Sequence, residues 1–223
     1  MDPVAIFALF AVAIVVFAVI GFLKEKKRRQ AMEKLAAELG FSYSPKKDRA
    51  LVSQFSFLDK FGNGRNRYAK NVMSGEVDGR KAMVFDYHYE THSHDSDGKR
   101  KTNHHYFTIF TLELCKHFPE LIIRPEGFFS KFKQMLGFDD INFESVEFSK
   151  RYQVKSKDKK FAYDVCNAQM IDYLLQQNNL DIEIERNVLS FTFRGRMKIE
   201  LMRPNIERIK MVRSFMPNYL FAK

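Results

Sequence analysis

The chain begins with a continuous apolar stretch, which is followed by segments of periodic hydrophobicity. Residues 4–23 carry no charged or polar side chain: fourteen are Val, Ile, Leu or Phe, five are Ala and one is Gly21. A helix rises about 1.5 Å per residue, so twenty residues reach about 30 Å, the thickness of a bilayer's hydrocarbon core. The pattern therefore predicts a transmembrane helix within residues 1–23.

A cleaved signal peptide is the alternative interpretation of this stretch. Its first residues would be basic, and a shorter apolar core would lead into a cleavage site of small residues. Here Met1-Asp2-Pro3 carries only an acid, and the longer apolar stretch ends directly in charged residues. We therefore expect an uncleaved anchor.

A basic cluster follows the apolar stretch and is expected to lie at the membrane interface. Its members are Lys24, Lys26, Lys27, Arg28 and Arg29. Basic residues favour the cytoplasmic side of a membrane, and none precedes the apolar stretch. The sequence therefore predicts a protein of the bacterial inner membrane with its N-terminus outside and its C-terminal domain in the cytoplasm. Only two cysteines are present, Cys115 and Cys166, and both are expected in the core of a reduced protein.

Beyond the basic cluster, the periodicity predicts a short amphipathic helix and then an α+β domain. Met32, Leu35, Ala36 and Leu39 recur at helical spacing, so residues 24–40 form the basic flank and helix. Residues 41–223 alternate strand-like and helix-like segments, with a hairpin expected around Asp78-Gly79. Antiparallel hairpins with helices between them favour a mainly antiparallel sheet with packed helices.

The second half of this domain carries weaker signals. Residues 121–124 are predicted as a separate strand, and residues 182–184 and 189–193 as a hairpin across Arg186-Asn187. A helix is expected over residues 128–136. A possible boundary between two subdomains falls near residues 137–140, although a single domain fits equally well.

Charge and composition exclude several classes of protein. Hydrophobic residues make up 45% of the chain, which is typical of a globular protein and not of a disordered one. The net charge of +10 suggests nucleic acid, but much of the excess lies in the basic cluster, and no nucleic-acid-binding motif organises the rest. Glycine-rich phosphate loops, nucleophile elbows and metalloprotease helices are all absent from the sequence. We therefore expect neither an enzyme nor a nucleic-acid-binding protein.

Histidines offer the single arrangement with possible metal chemistry. A hairpin centred on Gly98 would place His92 opposite His104, with His94 on the same face. Three imidazoles at this spacing can bind zinc or copper. The alternative is an exposed polar loop, because the segment around the turn is highly charged. A shift of one residue in the register would scatter the three side chains.

The block from Glu147 to Leu175 resembles a bacterial membrane-anchored domain family of unknown function. Its pattern is an acid-aromatic-basic strand, an aromatic-x-Val-x-Ser-x-Asp turn at Tyr152–Asp158, and a helix. Similar features in the first half are Asn71-Val72 through Gly79, Val84-Phe85-Asp86-Tyr87-x-Tyr89 and Arg124-Pro125-Glu126. The resemblance covers residues 35–175 and implies a bacterial inner-membrane location, but it brings no activity, substrate or catalytic residue. From the residues themselves, Asp158 and Ser156 are expected to cap backbone amides.

These observations favour a non-enzymatic, single-pass inner-membrane protein whose cytoplasmic domain binds or scaffolds another protein. The bilayer and an unidentified protein are the expected partners, and no cofactor is expected. The alternative is a metal-binding or metal-sensing membrane domain that uses His92, His94 and His104 to hold zinc or copper.

Overall fold

The computed structural model describes residues 3–95, 98–126, 139–177 and 180–222. Its helices are α1 (Pro3–Leu39), α2 (Ala50–Gln54), α3 (Val146–Arg151), α4 (Lys159–Val165), α5 (Ala168–Gln176) and α6 (Met202–Phe215). Its strands are β1 (Ser42–Ser44), β2 (Arg65–Val77), β3 (Arg80–His94), β4 (Arg100–Pro125), β5 (Asp139–Asp140), β6 (Tyr152–Ser156) and β7 (Asp181–Arg194). The helix predicted over residues 128–136 lies outside the described residues, as do the first two residues of the predicted boundary at 137–140.

Strand β4 is the centre of an antiparallel sheet. The order of neighbouring strands is β1-β2-β3-β4-β6-β5, and β7 also pairs with β4. The first half of β4 pairs with β3 and its second half pairs with β6, while β7 pairs with both halves. Because β4 has neighbours on both edges and packed layers on both faces, its alternating pattern is apolar on both sides. The segment predicted as a separate strand over residues 121–124 is the second half of β4.

The turn between β2 and β3 follows the prediction. Val77 pairs with Arg80, so the loop consists of Asp78 and Gly79 alone. Both residues have positive φ, 51° and 70°, as a two-residue turn that matches the twist of the strands requires. Glycine and aspartate accept this conformation more readily than most residues.

The predicted hairpin across Arg186-Asn187 is wrong. Residues 181–194 form one strand, β7, and its two halves pair with β4 on either side of an irregular region. Arg186 has a φ of 53°, which places it in the left-handed region. The residues that suggested a turn therefore lie within one continuous strand, where its register with β4 shifts.

The two faces of the sheet have different covers. The larger core packs the C-terminal part of α1 and helices α3 to α6 against one face. A smaller core lies on the other face, beneath α2 and a short 3-10 turn at Asp59–Gly62. The aromatic rings of Phe55, Phe61, Phe85 and Tyr87 contact one another in this smaller core. The folded part is α+β with an antiparallel sheet.

Side-chain caps fix the short helices of the larger core. Asp158 accepts a hydrogen bond from the backbone N–H of Phe161 and begins α4, and Ser156 Oγ accepts one from Asp158 N, as expected from the Tyr152–Asp158 motif. Asn167 begins α5 in the same way, by accepting from Met170 N. Cys166 lies between the two helices and is buried, whereas Cys115 is exposed, contrary to the prediction that both lie in the core.

The predicted transmembrane helix is wrong. Among the described residues, no helix combines the length and the apolar character that crossing a bilayer requires. The N-terminus-out orientation depended on a spanning helix and is withdrawn with it.

A substitution at Gly75 in β2 tests the contact between the end of α1 and the sheet. A Cβ at this position would overlap the ring of Phe41, which is itself buried. We expect Gly75→Ala to lower the free energy of unfolding by about 1–3 kcal/mol, because a packed ring has little room to move. Gly62→Ala is the matched control, since a Cβ there meets no atom within 4 Å. Urea unfolding monitored by tyrosine fluorescence measures both; equal losses would contradict the packing argument.

Candidate functional site

Helix α1 is docked on the sheet by one stripe of side chains. Glu25, Arg28, Met32, Leu35 and Ala36 recur at three- and four-residue spacing and turn away from solvent. This spacing places them on one face of a helix. The last three join the larger core, while the first two pair with charged groups of the sheet. Residues 24–39 are therefore part of the folded domain.

The strongest contact in this stripe is the ion pair of Arg28 with Asp86. Arg28 Nε and Nη2 donate to the two carboxylate oxygens at 2.9 and 2.6 Å, and Nη1 donates to the Met197 carbonyl oxygen at 2.7 Å. Asp86 lies in β3 and is 2% exposed. Asn71 Nδ2 also donates to its carboxylate at 2.9 Å. The buried charge is thus compensated by a bidentate guanidinium and an amide.

Glu25 provides a second ion-pair site one turn closer to the N-terminus. Its carboxylate accepts from Lys70 Nζ at 2.7 Å and from Arg196 Nη1 at 2.8 Å. Partial burial alone would raise the pKa of Glu25, but the hydrogen bond and charge of Lys70, together with Arg196, lower it to about 2. Glu25 therefore stays ionised across the physiological pH range and ties α1 to β2 and to the segment after β7.

The structure divides the predicted interface cluster into two groups. Lys24, Lys26, Lys27 and Arg29 are exposed around the helix. Arg28 instead points at the sheet and is engaged by Asp86. The helical stripe of Arg28 with Met32 and Leu35 is the sequence signal that distinguishes it from its neighbours.

Apolar side chains surround the N-terminal part of α1 on every side. Thirteen large hydrophobic residues between Ile6 and Leu23 are exposed, with relative exposures from 39% to 79%. Phe7, Phe17 and Phe22 are the most exposed of them. Monomeric proteins in water rarely present a continuous apolar surface of this extent. This surface and the charged stripe at its base form the candidate site, which we call the docked-helix site.

The histidines of the β3–β4 hairpin are arranged differently from the prediction. In the β3–β4 pair, His94 lies opposite Arg100. Each residue of β3 therefore faces a residue of β4 two positions earlier than the pairing expected around Gly98. His92 faces Thr102, and His94 faces Arg100. His104 instead lies opposite Glu90. The structure therefore does not bring His92, His94 and His104 together.

A different histidine lies against His104. His88 Nε2 is 3.1 Å from His104 Nδ1, and His104 Nδ1 is 3.4 Å from Glu90 Oε1. The His88 ring is buried between the rings of Tyr68 and Tyr106, with centroids 4.6 and 4.9 Å away. Desolvation by this burial lowers the pKa of His88, so its imidazole is neutral at physiological pH.

A second buried group of charges lies on the opposite side of β4 from the docked helix. Arg124 Nε donates to Asp181 Oδ1 at 2.7 Å and Nη1 to Asp59 Oδ2 at 2.9 Å, while Nη2 lies 3.7 Å from Glu183 Oε2. Lys60 Nζ is 3.8 Å from Asp181. Burial raises the pKa of Glu183 to about 8, even though Arg124 opposes the shift. A protonated Glu183 leaves this cluster with one negative charge fewer.

A cavity of about 320 Å³ opens beside the smaller core. Its apolar lining consists of Phe55, Phe57, Met83 and Val188, and the Arg186 guanidinium lies 4.5 Å from the centroid of the Phe57 ring. Asn187 donates to Glu113 at 3.0 Å on its rim. The left-handed conformation of Arg186 thus places a cation on the wall of the cavity.

Comparison with known proteins identifies a shared fold. The chain matches no protein-family model and no curated protein. It superposes on the crystal structure of the mycobacterial trehalose monomycolate transport factor A, TtfA, with a TM-score of 0.64 and 13% identity. The alignment covers 85% of this chain and 96% of that one. At this level of identity the likeness shows a common fold.

Removal of Arg28 tests the docking of α1. Arg28→Met keeps most of the side-chain volume but leaves the Asp86 carboxylate buried without its cation. We expect a loss of about 3 kcal/mol in the free energy of unfolding. Lys27→Met, one position away and exposed, should change it by less than about 0.5 kcal/mol. Urea unfolding of the detergent-solubilised chain compares the two; similar stabilities would mean that the ion pair does not hold the helix.

Glu183 should make stability depend on pH. In the folded state it holds its proton to about pH 8, whereas its ordinary pKa is 4.5, so the folded state binds more protons between these values. The free energy of unfolding should therefore fall as pH rises from about 4.5 to 8, with a slope of up to about 1.4 kcal/mol per pH unit. Glu183→Gln should flatten this fall, while the exposed control Glu147→Gln should retain it. Thermal unfolding between pH 5 and 8 measures the difference; an unchanged slope in Glu183→Gln would refute the assignment.

Proposed function

We propose that this protein is a membrane-associated accessory protein of the bacterial inner membrane. In this proposal, the apolar part of α1 embeds in lipid and the folded domain binds another protein at the membrane surface, without catalysing a reaction. The main observation behind the proposal is the exposed apolar surface of α1. The same helix continues into the charged residues that dock it on the sheet. The fold shared with TtfA, a transport factor, supports an accessory role.

The distribution of apolar residues favours lipid over a groove on another protein. A helix that binds a groove on another protein presents one apolar face and one polar face. The apolar side chains of α1 instead point in all directions around the helix, as the exposures of Phe10, Ile14, Phe17 and Phe22 illustrate. Only surroundings that are apolar on every side cover them all.

The charged positions that follow define how the domain meets the membrane. Lys24, Lys26, Lys27 and Arg29 are exposed at the point where the apolar surface ends. Basic residues near an anionic leaflet contribute about 1 kcal/mol each, which favours the cytoplasmic side. Because Glu25 and Arg28 clamp the same turns to the sheet, the domain is held directly against the headgroups.

Vesicle flotation with the full-length protein tests the lipid contact. The variant Phe10→Ser/Ile14→Ser/Phe17→Ser/Phe22→Ser removes four exposed apolar side chains of about 1.5 kcal/mol each. We expect its partition into vesicles to fall more than about 1,000-fold. The matched control, Val146→Ser/Leu201→Ser/Met211→Ser/Tyr219→Ser, removes four exposed apolar side chains of the folded domain and should still float.

The basic residues give a second arm to this experiment. Replacing Lys24, Lys26, Lys27 and Arg29 with Gln should abolish any preference for anionic over zwitterionic vesicles and leave binding to zwitterionic vesicles intact. A wild-type protein that stays with the aqueous fraction, or equal losses in the two serine variants, would contradict the proposal. Cross-linking in native membranes should then capture a protein bound to the folded domain; a domain that captures none would contradict the accessory role.

A further inference from the structure

We propose that His88, Glu90 and His104 form a divalent-metal site, with Zn²⁺ as the ion that fits best. The site differs from the predicted set of His92, His94 and His104 and goes beyond the proposed membrane function. Three ligand atoms converge: His88 Nε2, His104 Nδ1 and Glu90 Oε1, which lie within 4.8 Å of one another.

The separations of these atoms match one face of a zinc tetrahedron. They are 3.1 Å between the two nitrogens, and 3.4 and 4.0 Å from Glu90 Oε1 to His104 and His88. Bonds of about 2.0–2.1 Å at tetrahedral angles place ligand atoms about 3.3 Å apart. Shifts of a few tenths of an ångström therefore suffice to bring the three atoms to zinc.

Neighbouring strands hold the ligands in place before any ion arrives. Glu90 and His104 lie directly opposite each other in the β3–β4 pair, and His88 is two positions earlier on the same face. Asn66 Nδ2 donates to Glu90 Oε1 at 2.8 Å and orients the carboxylate. Tyr68 and Tyr106 hold the His88 ring from both sides. Such outer contacts are what fix the orientation of ligands in protein metal sites.

The chemistry of the donors selects the kind of ion. Two imidazoles and one carboxylate suit zinc, and this set leaves the fourth position for water or another ligand. His104 is half exposed, so an ion can enter from solvent. Lys47 lies over Tyr68, and Arg196 over Tyr106, and these nearby cations limit the affinity. We therefore expect reversible binding, weaker than at an all-cysteine structural zinc site.

Titration of the detergent-solubilised, chelator-treated full-length chain with Zn²⁺ tests the proposal. We expect one ion per chain by calorimetry, and Co²⁺ should give the visible absorption of a four-coordinate complex. His104→Gln and Glu90→Gln each remove one ligand from the more exposed side of the site. Loss of an outer hydrogen-bonding partner weakens metal binding about 10–100-fold. Loss of a ligand, as in each of these variants, should weaken Zn²⁺ binding by more than that. Asn66→Gly removes such an outer partner, and glycine tolerates the positive φ of 48° at this position. The Zn²⁺ affinity of this variant should fall by about 10–100-fold.

His92→Gln is the matched control, because His92 lies on the same hairpin and bonds Thr102 instead of the cluster. It should bind Zn²⁺ as the wild type does. Stoichiometric binding that is lost in His104→Gln and Glu90→Gln but kept in His92→Gln supports the site. Absence of stoichiometric binding at millimolar Zn²⁺, or binding that survives both ligand substitutions, would overturn the proposal and leave only a hydrogen bond between the two imidazoles.

Discussion

The placement of helix α1 depends on one buried carboxylate. Asp86 lies in the middle of β3, where a charge without a partner would cost several kcal/mol. Arg28 reaches it from a helix 58 residues earlier in the chain and supplies two parallel hydrogen bonds. A guanidinium matches a carboxylate in this fork geometry, which a lysine cannot reproduce. The helix is therefore fixed in rotation as well as in position, because only one face carries the arginine.

The second buried charge cluster lies on the other side of the central strand and also compensates buried charges with one another. Arg124 in β4 binds acids from the 3-10 turn and from β7, so it links three separate segments. The cluster also explains the sequence Arg124-Pro125-Glu126 at the end of the apolar strand β4. The arginine points inward to the acids, and Pro125 is the last residue of the strand. Each buried cation thus joins the sheet to one of the layers that cover it.

The local features of the fold follow from sequence, and the long-range ones do not. Asp78-Gly79 determines its own hairpin, since two residues suffice to set the turn, and Asp158 caps its own helix. Arg186-Asn187 has similar turn chemistry but stays within one strand, because both flanking segments pair with the same long strand. Which strand lies alongside is a property of the whole sheet and cannot be found from the local pattern.

The candidate sites divide in the same way. The apolar stretch and its basic flank are visible in composition, and the stripe through Arg28 and Met32 indicates which base turns inward. A carboxylate within an apolar strand also indicates that Asp86 needs a partner. The identity of that partner is not encoded locally. The predicted histidine arrangement is wrong for a geometric reason. The two strands pair two residues away from the expected register, so His104 lies opposite Glu90 instead of His92.

Helix α1 has a mechanical consequence. It runs without interruption from Pro3 to Leu39, about 55 Å, with no proline after its first residue. Its C-terminal part is embedded in the core, so the helix and the folded domain turn as one rigid body. A tilt of the apolar end therefore rotates the whole folded domain by the same angle, because the ion pair of Arg28 and Asp86 fixes the helix to the sheet.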